Sequence, residues 1–493
     1  MDLTPLLLFA VTFLALLIGY PVAATLAGVA LIFALIGIMT GTFNPSDLGF
    51  ASGRLFGIIT NQTLIAVPLF VFMGALLEKT RIAEDLLSSL AELFGRVRGG
   101  LAITVILVGT LMAASTGIVG ATVVTMGMMT LPIMLQRGYS PALATGTICA
   151  TGTLGQIIPP SIALVLLGDV LSNGYQQAQL NMGIFAPKSI SVGDLFAGAI
   201  IPGLCLVGLY LSYILVRVLV NPDSMPPASR GRDEKIVLAP IIRALLPPLC
   251  LIMAVLGSII GGYAPPTEAA GVGAVGALLL GLVYRRVSWA VLSEVCTATM
   301  ATTGMVFFIL VGASIFSLVF RGFGGEELVQ SLFAQMPGGV WGALIIVMLV
   351  IFILGFILDF IEITFVVVPI VGPVLLTISV VCLRYLFSTS AILIQESVVY
   401  LHAILFMLAI PLGLAERTHV RVDILYGRLP ARTQHWIDLA GHALLLIPVA
   451  VFMGWISLDY VAASWRIFEG SAEVGGIQGV FLLKTLIPAT ALL

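Results

Sequence analysis

The sequence predicts an all-α polytopic membrane protein, and three observations carry that class. Of its 493 residues 60% are hydrophobic and only 9% are charged, with a mean hydropathy of +1.16, a balance foreign to soluble globular domains. Long apolar runs recur from one end of the chain to the other. One run, Ala142 to Leu171, holds no charge before Asp169, yet Gly152, Gly155 and Pro159-Pro160 interrupt it in the stretch TGTLGQIIPPS, residues 151–161. A run of that length reads as a transmembrane helix. Proline removes a backbone donor and clashes with the preceding turn, so two prolines after two glycines should unwind it. Unwound backbone survives at membrane depth only where it is buried in protein or lines a cavity. In secondary transporters such breaks bind the solute, with half-helix N-termini facing anions and freed carbonyls taking Na⁺. A plain proline kink is the competing reading. Two glycines, two prolines and the flanking Thr151, Thr153 and Ser161 favour the functional one.

The remaining elements follow in order. The first twenty residues carry no basic region and no small-residue cleavage site, so they are expected to be a retained first span and not a signal peptide. Residues 5–39 are apolar apart from Tyr20-Pro21, giving one long bent span or two short ones. Residues 41–62 read as a polar connection, 63–77 as apolar, and Glu78 to Arg98 as a charged surface stretch. Apolar segments at 100–115 and 118–135 lead to the turn Arg137-Gly138-Tyr139 and then to the broken element. Residues 172–193 read as a long polar loop, and 194–220 as a span. Two spans, 237–262 and 266–284, join a basic loop (Arg217, Arg230, Arg232, Lys235, Arg243) to Arg285-Arg286. Two crossings put both clusters on one side, which the positive-inside rule makes cytoplasmic. Further apolar segments lie at 299–320, 340–371, 374–388, 396–414, 439–458 and 476–493. Cys149, Cys205, Cys250, Cys296 and Cys382 are scattered through apolar runs without a CxxC, and are expected to be small core residues with no disulfide or metal role. The net charge of −2 gives no basic face for nucleic acid.

An internal repeat is visible. Gly99-Gly100 precedes an apolar segment, a small-residue break at Ser115-Thr116-Gly117, a second apolar segment and Pro132. Gly338-Gly339 precedes an apolar segment, Gly355 and Asp359, a second apolar segment and Pro369. Such weak symmetry is a property of repeat transporters. The repeat then fails. Carrying Pro159-Pro160 across by the same offset lands near Glu396 to Val399, where no Gly/Pro break stands.

Several stretches carry a family resemblance. VRGGLAITVILVGTLMAASTGIVGAT, GTLGQIIPPSIALVLLGDVL, APPTEAAGVGA, MVFFILVGASIFSLVFRG and LGFILDFIEITFVVVPIVGP resemble the large membrane subunit of the tripartite ATP-independent periplasmic (TRAP) transporters, over residues 1 to about 373. From 374 to 493, LRYLF, QESVVYLHAILFML, HVRVDILYGRLPAR and SWRIFEGSAEVGGIQGVFLLKTLIP resemble the small membrane subunit of the same system. The resemblance implies an inverted-repeat elevator transporter with broken helices and re-entrant hairpins, in a bacterial inner membrane. It would import organic acids with Na⁺ as coupling ion and no other cofactor. Its partners would be a periplasmic substrate-binding protein, a small TRAP permease subunit and the bilayer. The first repeat would cover about 60–172 and the second about 300–373, cut short before its own hairpin. The chain reads as two joined fragments.

The same resemblance assigns site residues. Gly155, Ile158 and Pro160 stand where carbonyls ring a Na⁺ in the first hairpin, and Thr63 and Thr116 where hydroxyls complete it. The alternative for each threonine is a hydroxyl bonded back to its own helix. The break beside Thr116 favours the ligand there, while for Thr63 the two readings balance. Asp359 and Glu362 are carboxylates three apart in an apolar stretch. Ionisable groups at membrane depth line pathways or pair, so Asp359, beside Gly355, is expected on the substrate pathway and Glu362 stays open. Arg321 could grip a substrate carboxylate bidentately or anchor a helix end at the interface. Asp169 could simply cap its half-helix. Glu396, Arg421 and Asp423 read as interfacial or subunit-packing charges, and His402 and His419 receive no chemistry.

Two rival functions remain. An intramembrane enzyme needs a nucleophile–base set or metal ligands within spans, and no HExxH or GxSxG is present. A remnant that inserts without transporting is the stronger rival, because Leu393 to His402 occupies the place of the second hairpin.

Overall fold

The computed structural model describes residues 3–80, 82–94, 97–116, 119–181, 189–226, 238–334, 339–355, 392–415, 419–471 and 477–493. In chain order its α-helices are α1 Thr4–Leu17, α2 Val22–Thr40, α3 Phe50–Ile59, α4 Ala66–Lys79, α5 Ile82–Phe94, α6 Gly100–Thr116, α7 Val119–Gln136, α8 Pro141–Thr153, α9 Ile162–Asn181, α10 Val192–Val220, α11 Leu238–Ile260, α12 Pro266–Val283, α13 Trp289–Gly322, α14 Gly325–Ala334 and α15 Gly339–Leu354. The tail adds α16 Ile392–Ala415, α17 Asp423–Tyr426, α18 Ala431–Gly441, α19 Ile447–Arg466 and α20 Val480–Leu492. No strand occurs among the described residues. Val22–Thr40, Val192–Val220, Pro266–Val283, Trp289–Gly322 and Ala431–Arg466 are each long and apolar enough to cross a bilayer, and the chain bends between Pro45–Ile59 and Thr63–Lys79.

Of the two readings of segment 5–39 the structure takes the two helices, because Gly19, at φ +90, turns the chain ahead of Tyr20-Pro21. Other expectations change. The polar connection 41–62 contains α3, and the charged stretch after Glu78 contains α5. The loop expected from residue 172 starts later: helix α9 continues to Asn181, carried by residues of fair helix propensity such as Gln176, Gln177, Ala178 and Leu180. Cys149, Cys205, Cys250 and Cys296 are exposed, not core residues, and Cys382 lies outside the described residues. An apolar neighbourhood does not signify an interior position when the helix surface faces lipid.

The chain forms two compact units, the first from residues 1–65, 169–190 and 300–493 and the second from 66–168 and 191–299. In the second unit α5, α6, α7, α8 and α10 enclose a core around Val105, Ile106, Met126, Ala144 and Leu154. Glycines let these helices approach: a Cβ at Gly109 would stand 2.0 Å from Thr151 Cγ2, and one at Gly273 2.7 Å from Met73 Sδ. Small residues at crossings are the usual means of close packing in lipid. Charges gather at helix ends, where Lys79 pairs with Glu294 at 2.9 Å and Arg286 with Asp85 at 2.8 Å.

In the first unit the tail packs among α1–α3 and α13. A Cβ at Gly312 would lie 2.3 Å from the Ala23 carbonyl oxygen, and one at Gly304 2.5 Å from that of Ala409. Phe307 stacks on Phe406 with ring centroids 4.2 Å apart. The Val22 N–H donates to the Val420 carbonyl at 3.1 Å, and Ser52 Oγ to the Ile456 carbonyl at 2.8 Å. Buried Lys484 bonds Glu469 at 2.5 Å and lies 4.2 Å over the Tyr460 ring. That bond holds the Glu469 carboxyl below its usual range. The compact units therefore cut across the division by motif. The N-terminal helices and the tail share one unit, while the rest of the large-permease-like region falls in both.

Candidate cation site and broken hairpin

The broken element is built in the second unit from α8, the 3₁₀ turn Leu154–Gln156, residues 157–161 and the start of α9. Sequence explains each step. Gly152 lets α8 meet α7, since a Cβ there would stand 2.2 Å from Val123 Cγ2. The helix then tightens, and the N–H groups of Ile157 and Ile158 both turn back to the Leu154 carbonyl, at 3.0 and 2.9 Å. Pro159 and Pro160 have no N–H, so the carbonyls of Gly155 and Gln156 lose their i+4 donors. Ser161 restarts the helix. Its hydroxyl donates to the Gln156 carbonyl at 2.7 Å and accepts from the Leu164 N–H at 3.4 Å, acting as an N-cap.

The three expected carbonyl ligands share one property. Among the described residues no backbone hydrogen bond is made to the carbonyls of Gly155, Ile158 or Pro160. Gly155 and Pro160 are buried residues and Ile158 is half-buried. Unpaired buried carbonyls are costly, and a hard cation is the ligand that repays them. The flanking hydroxyls do not contribute: Thr151 donates to the Thr147 carbonyl at 2.6 Å and Thr153 to the Ala150 carbonyl at 2.7 Å. Thr116 is the last residue of α6, and its side chain lies outside the described residues.

Thr63 belongs to the first unit, in a 3₁₀ turn at the break between α3 and α4. Its N–H donates to Asn61 Oδ1 at 2.9 Å. Asn61 in turn donates from Nδ2 to Asp169 Oδ1 at 2.7 Å. Asp169 does not cap a helix end, because α9 extends beyond it to Asn181. Asn61 escaped the sequence reading. The signal that could have found it is Asp169 itself, the lone charge of an apolar run, which requires a buried donor.

Of the expected substrate groups, Arg321 lies among the described residues. Arg321 pairs with Glu326 at 2.7 Å near the end of α13, with side chains 43% and 33% exposed. That pairing is the arrangement of a helix-end anchor. Asp359 and Glu362 lie outside the described residues. In the tail, Arg421 bonds Asp438 at 3.1 Å and Tyr426 donates to the same carboxylate at 3.0 Å. His419, buried beside them in the loop after α16, has its imidazole pushed down to about 4 by burial. The side chains of Glu396 and Asp423 lie outside the described residues. No cluster of three or more metal-ligating side chains occurs among the described residues.

An all-helical, multi-spanning chain with a broken helix whose turn leaves carbonyls without backbone donors has the form of a secondary transporter. Comparison with known proteins gives the family. Residues 9–387 match the family model described as "Tripartite ATP-independent periplasmic transporter, DctM component", and residues 374–493 match the "DctQ component". The chain belongs to the TRAP transporter permeases, as a large-permease region fused to a small-permease segment, and is a polytopic inner-membrane protein. It is 31% identical over 342 residues to the C4-dicarboxylate TRAP transporter large permease protein DctM of Pseudomonas aeruginosa, covering 69% of this chain and 74% of that one. It is 31% identical over 317 residues to the sialic acid TRAP transporter large permease protein SiaM of Vibrio cholerae, covering 64% and 67%. The YdaH transporter of Alcanivorax borkumensis aligns with a TM-score of 0.46 and 16% identity over 83% of this chain and 87% of that one.

Proposed function

We propose that this chain is the membrane permease of a TRAP-type secondary transporter that imports organic acids with Na⁺, receiving them from a periplasmic binding protein. The carrying observation is the set of carbonyls at Gly155, Ile158 and Pro160 that no backbone N–H of a described residue reaches, on two buried residues and one half-buried one. Thr63 and Thr116 would add hydroxyl oxygens to that ion, and Asp359 and Arg321 would flank the substrate route. An elevator movement of inverted repeats would carry the site across the membrane. The names of two relatives specify acids, a C4-dicarboxylate and sialic acid, which supports the substrate class. The test is reconstitution in liposomes with a cognate binding protein under an inward Na⁺ gradient. Concentrative uptake of an organic acid that collapses without Na⁺ is the expected result, and uptake indifferent to Na⁺ rejects the coupling.

One observation favours a second reading, a chain that inserts and binds Na⁺ but does not complete a cycle. Where the second hairpin is expected, α16 is a helix from Ile392 to Ala415. A helix there offers no freed carbonyls and no half-helix N-terminus. With half a site, substrate gains little differential affinity for inward and outward states, and binding cannot drive the switch. Retained ²²Na⁺ binding without uptake in the same liposomes identifies this reading.

A further inference from the structure

We infer that Asp169 and Asn61 form a latch that positions Thr63, making Asp169 a positioning residue for the turn that carries Thr63. The inference rests on the proposed role of Thr63 as an ion ligand.

The chemistry begins with Asp169. It is half-buried on α9 within an apolar run, and among the described residues no cationic side chain pairs with it. A carboxylate so placed must draw on neutral donors. Two amides supply them, Asn61 Nδ2 at 2.7 Å and Asn173 Nδ2 at 3.5 Å. The shorter bond is the directive one, because 3.5 Å stands at the limit of hydrogen bonding while 2.7 Å is a strong charge-assisted bond. It fixes which end of the Asn61 amide faces Asp169. The oxygen must then face the other way, and there it accepts the Thr63 N–H at 2.9 Å. The carboxylate thus sets the conformation of the break without touching Thr63.

The location adds a reason. Asn61 and Asp169 are 108 residues apart and stand at the two ends of the expected first repeat. The Thr63 hydroxyl makes no hydrogen bond to a described residue, so the latch orients the backbone beneath a side-chain oxygen that remains available.

The test uses the full chain, purified in nanodiscs, with ²²Na⁺ binding and hydrogen–deuterium exchange over residues 58–66 as readouts. Asp169→Asn should weaken Na⁺ binding by about tenfold or more, in the range for removing an outer-shell partner, and should speed exchange in 58–66 alone. The exchanged pair Asp169→Asn with Asn61→Asp restores a carboxylate–amide bond and leaves an oxygen for the Thr63 N–H. It should recover both readouts, which a general packing role would not predict. Asn61→Ala should match Asp169→Asn and serves if that variant fails to fold. Unchanged exchange in both single variants, or no recovery in the exchanged pair, overturns the latch. A parent chain that binds no ²²Na⁺ overturns the ion reading of Thr63, and the exchange pattern still decides the latch.

Discussion

Two of the tandem proline pairs in the second unit have opposite outcomes. Pro159-Pro160 ends a helix, while Pro247-Pro248 sits inside α11, which continues from Leu238 to Ile260. Both pairs remove two backbone donors, so missing donors are not the whole cause. The residues before them differ. Ala244, Leu245 and Leu246 are strong helix formers, whereas Gly155, Ile157 and Ile158 are poorer ones. The residue after them differs too: Ser161 caps a new helix, and Leu249 cannot. The double proline that breaks its helix is the one that weak helix formers precede and a cap follows.

The largest expected effect comes from making the first pair resemble the second. Replacing Gly155, Pro159 and Pro160 with alanine should join α8 to α9 and lower Na⁺ affinity by at least 100-fold, each freed carbonyl then having a donor (an estimate from losing several ligands of about 1–3 kcal/mol each). The same replacement at Pro247 and Pro248 should leave Na⁺ binding unchanged. Binding of ²²Na⁺ to the two variants checks both arms, and equal losses would erase the contrast.

Gly109→Ala probes the packing that seats the hairpin. Its Cβ would stand 2.0 Å from Thr151 Cγ2, and the β-branched threonine has little freedom to retreat. The expected cost is about 1–3 kcal/mol, visible as a lowered Tm in detergent.

Acid separates the hairpin from the tail. Residues 151–161 contain no ionisable side chain, so the hairpin itself should be indifferent to pH. His419 should not be. Its folded pKa of about 4 lies below the 6.5 of an unperturbed imidazole, so the unfolded chain binds more protons between those values. Stability is then full above pH 6.5 and falls as pH drops towards 4, by about 2 kcal/mol between pH 7 and 5. His419→Gln should lessen that slope in thermal unfolding scans taken at several pH values. An unchanged slope would place the acid sensitivity elsewhere.

The smallest effect is that of the cap. Ser161→Ala should cost about 1 kcal/mol and speed amide exchange near Leu164, with no counterpart on mutating Leu249 to alanine at the matching place in α11.

Sequence by itself determined the class, the family resemblance and the hairpin. Hydropathy fixes helices in a bilayer because no other open structure satisfies the backbone there, and the density of Gly and Pro in 151–161 marks the break. Helix α16 was equally legible, from the lack of Gly or Pro in Leu393 to His402. Tertiary structure decided what one-dimensional pattern cannot encode. Apolar cysteines proved to be on exposed faces, since lipid-facing and core-facing surfaces share one composition. The two proline pairs diverged through their neighbours. Asp169 found its partner 108 residues away, because a buried carboxylate is satisfied by whichever donor the fold brings to it, and nothing in the local sequence of Asn61 announces that meeting.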